Sequence, residues 1–240
     1  MKFILDGKEV KASKGEYLLA VTRREGIRIP ALCQHDGVEP IGACRLCIVE
    51  ITRPEWDGWS RLVTSCLYPV EDGLIVETNS PKVVETRATL LDMQLARCPN
   101  SDVIRQWARE YGIERTSYEI CIDGDNCILC DICVRVCDAV GRSAIARTSR
   151  GVSKVIATPL ESDANRACIG CLACAHACPT AAIAYSETAD TRTIWEHTFD
   201  LVKCPITGDV LGTPEQLDHF AKKSGLPRDY FTKSDRERKR

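Results

Sequence analysis

The sequence predicts an α+β protein assembled from parts, and three observations carry that prediction. The first 80 residues alternate short β-forming runs with one helical stretch, residues 81–116 read as helices, and cysteines fall in two dense blocks on either side of those helices. A chain of 240 residues has room for two or three small domains. Lys2–Leu5 and Glu9–Ala12 flank Asp6-Gly7-Lys8, and an Asp-Gly pair between short β-forming runs signals a hairpin. From Glu16 to Glu25 the apolar Tyr17, Leu18, Ala20 and Val21 recur at helical spacing, and Gly26 supplies the stop. Leu46–Ile51, Arg61–Ser65 and Leu74–Thr78 read as further strands, which makes a mixed sheet packed on one helix. Ser80-Pro81 opens a helix over Lys82–Ala96, and a second helix covers Ser101–Tyr111 with Gly112 at its end. Residues 117–186 hold the second cysteine block and close on a short strand at Ala181-Ala182-Ile183. Residues 187–240 form a C-terminal extension with a segment Trp195–Cys204, a shorter helical pattern at Pro214–Ser224 and a charged tail, Lys233–Arg240, expected to be solvated.

Composition limits what such a chain can do. With 44% hydrophobic and 28% charged residues it is globular, and a net charge of -2 offers no basic surface for nucleic acid. Asp6, Lys8 and Glu9 interrupt the apolar N-terminal run, so no export signal is read there, and no stretch reaches the 18 or more apolar residues of a membrane span. Fifteen cysteines are an odd number in a chain able to bury a core, so disulfides do not explain them; metal ligation does. The expectation is a soluble protein in the reducing cytoplasm.

The second block is the more regular. Cys127-x2-Cys130-x2-Cys133-x3-Cys137 is repeated as Cys168-x2-Cys171-x2-Cys174-x3-Cys178, the latter followed by Pro179. Three thiolates at two-residue intervals can curl round one face of an iron–sulfur cube, and the fourth corner must come from elsewhere. The pattern resembles a bacterial two-cluster ferredoxin domain, in which the fourth cysteine of each run ligates the other cluster. The resemblance implies one [4Fe–4S] cluster on Cys127, Cys130, Cys133 and Cys178 and another on Cys137, Cys168, Cys171 and Cys174. A pair of zinc sites is the competing reading; zinc ribbons use two separated pairs rather than triplets with a fourth cysteine three residues on. Cys121 stands outside the pattern and reads as a buried thiol, and His176 as a surface histidine.

The first block, Cys33-x10-Cys44-x2-Cys47-x18-Cys66, has one isolated cysteine, a close pair and a distant partner, a set that suits a [2Fe–2S] rhomb better than a zinc ion. His35 beside Cys33 raises a histidine-ligated centre, but four cysteines already complete the set. IPALCQHDGVEPIGACRLCIVEI, with its Cys-Arg-x-Cys step, resembles the N-terminal ferredoxin domain of the large iron–sulfur subunit of complex I, the NuoG-like family, and the hairpin–helix–loop order before it matches that family's β-grasp fold. The gap before Cys66 is longer than the family's, and Arg53–Trp59 looks like an insertion at a hairpin tip whose Trp56 and Trp59 either pack on the sheet or meet a partner.

Two departures from the pattern follow. NuoG-like proteins, the HoxU-like diaphorase subunits of NAD-linked hydrogenases and the N-terminal part of many [FeFe]-hydrogenases hold a further [4Fe–4S] cluster on one histidine and three cysteines between the blocks. Here that stretch has Cys98 alone and no histidine, so this cluster is expected to be absent. Lys203-Cys204-Pro205-Ile206-Thr207-Gly208 resembles the first knuckle of a zinc ribbon with its second cysteine replaced, so a degenerate ribbon is expected there, packing without metal or serving as a docking surface.

No G-x-G-x-x-G, P-loop or Gly-rich flavin loop is present, and the chain has no visible site for turning over a substrate of its own. The resemblance implies an electron-transfer subunit with one [2Fe–2S] and two [4Fe–4S] clusters. It would relay electrons between a NuoF-like flavin/NAD(P)H subunit and a further redox subunit or soluble ferredoxin, in a hydrogenase, a formate dehydrogenase or an electron-bifurcating NAD(P)H:ferredoxin oxidoreductase. A free-standing multicluster ferredoxin is the alternative.

Overall fold

Asp6 and Gly7 both take positive φ, 47° and 80°, and turn strand β1 (Lys2–Leu5) back into β2 (Lys8–Lys11), as the Asp-Gly pair requires. The computed structural model describes residues 1–120, 126–158 and 167–233; Cys121 and most of the charged tail lie outside them. The chain divides into two units, Met1–Ile132 with Pro179–Ala182, and Cys133–Cys178 with Ile183–Arg240.

In the first unit, helix α1 (Leu18–Arg24) follows the hairpin, and strands β3 (Ile48–Thr52), β4 (Ser60–Thr64) and β5 (Ile75–Glu77) complete a five-stranded sheet of order β2-β1-β5-β3-β4. Only β1 and β5 run parallel, with Ile4 opposite Ile75; the other pairs are antiparallel. Alternation along the strands puts Phe3, Leu5, Val49, Ile51 and Val76 on one face, where Leu18, Leu19 and Val21 of α1 cover them. Cys47 and Cys66 belong to this same core.

Helix α2 (Pro81–Arg97) begins where Ser80-Pro81 predicts: Ser80 Oγ accepts the Val83 N–H at 3.3 Å, and Pro81 occupies the first turn, where a missing N–H costs nothing. Its Arg87 is almost fully buried and donates to Ile48 O at 2.6 Å, to Tyr111 Oη at 3.3 Å and to Asn79 Oδ1 at 3.4 Å. Helix α3 (Asp102–Glu110) buries Ile104 and Ala108.

The second unit carries helix α4 (Ile132–Val140), which starts at its boundary, a hairpin of β6 (Ala146–Thr148) and β7 (Val155–Ala157), and the single-turn helix α5 (Ala173–His176). Strands β8 (Tyr185–Glu187), β9 (Thr191–Ile194) and β10 (His197–Asp200) form an antiparallel meander, followed by the pair β11 (Val202–Lys203) and β12 (Val210–Gly212) and by helix α6 (Pro214–Ser224). The strand expected at Ala181–Ile183 begins instead at Tyr185, because Ala181 is left-handed at φ 52° and breaks the extended run. Trp195–Cys204 is a hairpin turn and strands. Cys133, Ile145, Leu172, Cys174, Ile194 and Phe199 make the core, so the cysteines are part of its packing. Among the described residues no helix is long and apolar enough to cross a membrane.

Candidate iron–sulfur sites

The four cysteines of the first block come together at one end of the five-stranded sheet. Cys33 and Cys44 lie in the loop between α1 and β3, Cys47 directly precedes β3 and Cys66 follows β4; the β3–β4 register, Ile48 opposite Thr64, brings the last two level. All four are at most 4% exposed. Ser65 fastens the junction, its N–H and its hydroxyl both donating to Cys47 O at 3.0 and 2.7 Å. The loop turns through left-handed Gly42 (φ 65°) and Arg45 (φ 61°), and a Cβ at Gly42 would lie 2.7 Å from Leu67 Cδ1. The Cys44 N–H donates to Cys33 Sγ at 3.3 Å.

Mutual contact and burial bear strongly on these thiols. The contact with the Cys33 thiol, and then burial, push the Cys44 thiol far up; the Cys47 contact and burial do the same to Cys66. Cys47 is held down at about 7 because the Cys66 thiol hydrogen-bonds to it, against the cost of burial. Four thiolates packed at this depth need cationic partners, and the ferric irons of a cluster supply them, so the donor set fits a [2Fe–2S] rhomb. His35 is exposed and its Nδ1 accepts the Gly37 N–H at 3.1 Å, an occupation within its own loop. At the hairpin tip Trp56 packs partly on the sheet core while Trp59 is 58% exposed; the two rings lie 5.1 Å apart, with the Arg61 guanidinium over Trp56.

In the second unit Cys137 of α4, Cys168 and Cys171 of the loop before α5, and Cys174 of α5 line one cavity, together with Ile145, Ile194 and Trp195. Cysteines 30 or more residues apart in sequence thus meet around one space, and the fourth cysteine of the first run stands among the first three of the second. Backbone N–H groups point at the sulfurs: Ala144 donates to Cys137 Sγ at 3.2 Å, and the Gly170 and Ile169 amides favour the Cys168 thiolate. Burial raises the Cys137 and Cys168 thiols and pushes Cys174 up to about 11, which the Trp195 N–H partly offsets. Apolar lining, N–H donors and four thiols are a donor set that would fit a cubane. Among the described residues no three His, Cys, Asp or Glu side chains close on a point as one metal ion requires; the thiols surround a volume.

The sequence repeat is also a repeat of backbone conformation. Two and four residues after the first cysteine of each run the chain is left-handed: Leu129 (φ 53°) and Asp131 (φ 61°) after Cys127, Gly170 (φ 62°) and Leu172 (φ 60°) after Cys168. The first of these positions turns its N–H onto the preceding thiol, Leu129 N to Cys127 Sγ at 3.4 Å. Three of the four are not glycine and adopt a conformation costing about 1–2 kcal/mol each, a strain characteristic of functional loops. Cys127 and Cys130 lie in the first unit, where Arg97 Nε donates to Cys127 O at 2.7 Å; Cys133 and Cys178 lie in the second, Cys133 buried at the start of α4. Cys98 is fully buried at the C-terminal end of α2. Cys204 is buried in a knuckle-like turn where its N–H donates to Asp209 O and its carbonyl accepts the Gly208 N–H. Among the described residues the cysteines are thiols, not half-cystines.

Residues that sequence reasoning missed brace the loop that carries Cys168 and Cys171. Arg192 Nη1 donates to Gly170 O at 2.8 Å, Thr213 Oγ1 to Ile169 O at 2.6 Å, and Phe199 packs against Gly170. They come from the C-terminal extension, and no spacing marks them.

Residues 1–81 match the family model of the 2Fe-2S iron-sulfur cluster binding domain, a span that contains Cys33, Cys44, Cys47 and Cys66. The chain is a NuoG/HoxU-like iron–sulfur protein. It is 32% identical over 225 residues to the NADPH-Fe(3+) oxidoreductase subunit alpha of Geobacter sulfurreducens, covering 84% of this chain and 26% of that one. With the mitochondrial NADH-ubiquinone oxidoreductase 78 kDa subunit of Neurospora crassa it shares 27% identity over 82% of this chain and 29% of the relative. A solved NAD+-reducing [NiFe]-hydrogenase chain superposes with a TM-score of 0.59 at 27% identity, over 67% of this chain and 76% of that one. This NuoG/HoxU-like chain therefore spans between a quarter and a third of those two curated relatives.

Proposed function

We propose that this chain is the electron-transfer subunit of a multisubunit oxidoreductase, relaying electrons between a NuoF-like flavin/NAD(P)H subunit and a further redox subunit. Its relatives are proteins named for NADH-, NADPH- and NAD+-linked reactions, which supports the nicotinamide side of the reading. In this reading Cys33, Cys44, Cys47 and Cys66 hold a [2Fe–2S] cluster, while Cys127, Cys130, Cys133 and Cys178 hold one [4Fe–4S] cluster and Cys137, Cys168, Cys171 and Cys174 the other, in a ferredoxin-like arrangement.

The clusters, when bound, take up and release single electrons. The protein supplies burial, which keeps water from the sulfurs, and N–H donors such as Ala144 and Leu129, which stabilise negative charge on them. The observation that best supports the reading is the presence of Cys137 in the cavity of Cys168, Cys171 and Cys174, since crossed ligation needs that neighbourhood and independent sites do not.

Anaerobically prepared protein should contain about 10 iron per chain, and about 14 would require a third cubane. Cys137→Ser should remove one four-iron EPR signal and bring iron to about 6, and Cys168→Ser should remove that same signal. If the two variants lose different four-iron signals, the crossed assignment fails; stoichiometric zinc without iron would overturn the whole reading.

A further inference from the structure

Trp195 and Glu196 form the two-residue turn between β9 and β10, where Ile194 stands opposite His197. Both turn residues are left-handed, with φ 53° and 61°. That turn is ordinarily built from Asn-Gly or Asp-Gly, because bulky side chains are strained at positive φ. Local conformation therefore does not account for a tryptophan here, and its surroundings do.

The indole forms part of the wall of the cavity shared by Cys137, Cys168, Cys171 and Cys174. Its Nε1 is completely enclosed and makes no conventional hydrogen bond. A buried N–H left in that state is costly, and nearly all such groups in folded proteins have an acceptor. The acceptor on hand is sulfur: Cys174 lines the same cavity and belongs to the core cluster against which Trp195 packs.

We propose that the Trp195 indole N–H is a hydrogen-bond donor to the [4Fe–4S] cluster held by Cys137, Cys168, Cys171 and Cys174, at the Cys174 sulfur, and that it raises the reduction potential of this cluster. The inference rests on the ligand assignment made above. Reduction adds negative charge to the sulfurs, so a fixed donor stabilises the reduced form more than the oxidised one. Trp195 is on this account a positioning residue that tunes the cofactor and takes no part in ligation.

The test is potentiometric EPR on the full chain, anaerobically prepared, following the four-iron signal that Cys137→Ser abolishes. Trp195→Phe keeps an aromatic ring in the turn and removes only the donor. Iron content should stay at about 10 per chain. At the wild-type midpoint, the ratio of reduced to oxidised cluster should fall at least threefold, about 28 mV at 59 mV per tenfold change. An unchanged potential with the cluster intact overturns the role of Trp195; absence of that cluster from the wild type, or its survival in Cys137→Ser, overturns the ligand assignment instead. Should Trp195→Phe fail to load iron, the wild type decides: with heavy nitrogen in its indoles, pulsed EPR on the reduced cluster should show a coupling to an indole nitrogen, and a spectrum without one refutes the proposal.

Discussion

Gly170→Ala should cost the second unit more than its single methyl suggests. The position is left-handed, φ 62°, and an alanine held there pays about 1–2 kcal/mol. The new Cβ would also lie 2.8 Å from Phe199 Cδ2 and 2.9 Å from Thr213 Cγ2, well inside ordinary contact. Neither neighbour has room to retreat. Phe199 is 3% exposed, and Thr213 is fully buried, caps α6 by accepting the Gln216 N–H and donates to Ile169 O. Overpacking of this kind adds about 1–3 kcal/mol, for a total of about 2–5 kcal/mol, a large share of a domain's usual stability of about 5–15 kcal/mol. Gly208→Ala is the comparator: it is left-handed too, φ 72°, but nothing lies within 4 Å of its Cβ, so it should cost the strain of about 1–2 kcal/mol alone. Denaturant titration followed by circular dichroism, with iron release recorded in parallel, measures both. If the two variants are destabilised equally, the packing of Gly170 against the C-terminal extension has been misjudged.

Two further expectations concern the first unit. Glu50 accepts hydrogen bonds from the Ser60 and Ser80 hydroxyls and lies 3.6 Å from Lys82, and the serines, then the lysine, hold its pKa below the ordinary carboxylate value. A depressed folded pKa contributes stability above the unfolded value of about 4.3 that is lost as pH falls through the folded value. Glu50→Gln should therefore lower stability by about 1 kcal/mol at neutral pH and show a shallower loss below about pH 4; identical acid profiles would refute this. Arg87→Met keeps the apolar stem but leaves the buried Ile48 carbonyl without its 2.6 Å guanidinium donor, and should cost about 2–3 kcal/mol by denaturant midpoint; a cost under about 0.5 kcal/mol would contradict it.

Much of this was legible in the sequence, for reasons that differ from part to part. Local chemistry sufficed where one residue dictates one conformation: Asp6-Gly7 at the first turn, and Ser80-Pro81 at the start of α2. Spacing marked the cysteines as sets, while the assignment of each run's fourth cysteine to the other run came from the resemblance to a two-cluster ferredoxin. What escaped prediction depends on contacts distant in sequence. Ala181 gives no sign that it turns left-handed, and the strand expected there starts four residues later. Trp195-Glu196 lacks every residue that announces a hairpin turn. Thr213 reaches Ile169 across 44 residues, a pairing that no periodicity encodes.

The contacts of Arg192, Phe199 and Thr213 with Ile169 and Gly170 bear on how this chain can be divided. In sequence, the resemblance to a two-cluster ferredoxin ends near Ser186, with the rest appended. In the fold, the rest is the rear wall of the loop carrying Cys168 and Cys171, joined to it by hydrogen bonds to two consecutive carbonyls, those of Ile169 and Gly170. A chain cut after Ser186 would not be a smaller ferredoxin. It would leave the loop carrying Cys168 and Cys171 without its backing, so the smallest unit that holds these cysteines in place includes Arg192, Phe199 and Thr213, none of them a cysteine.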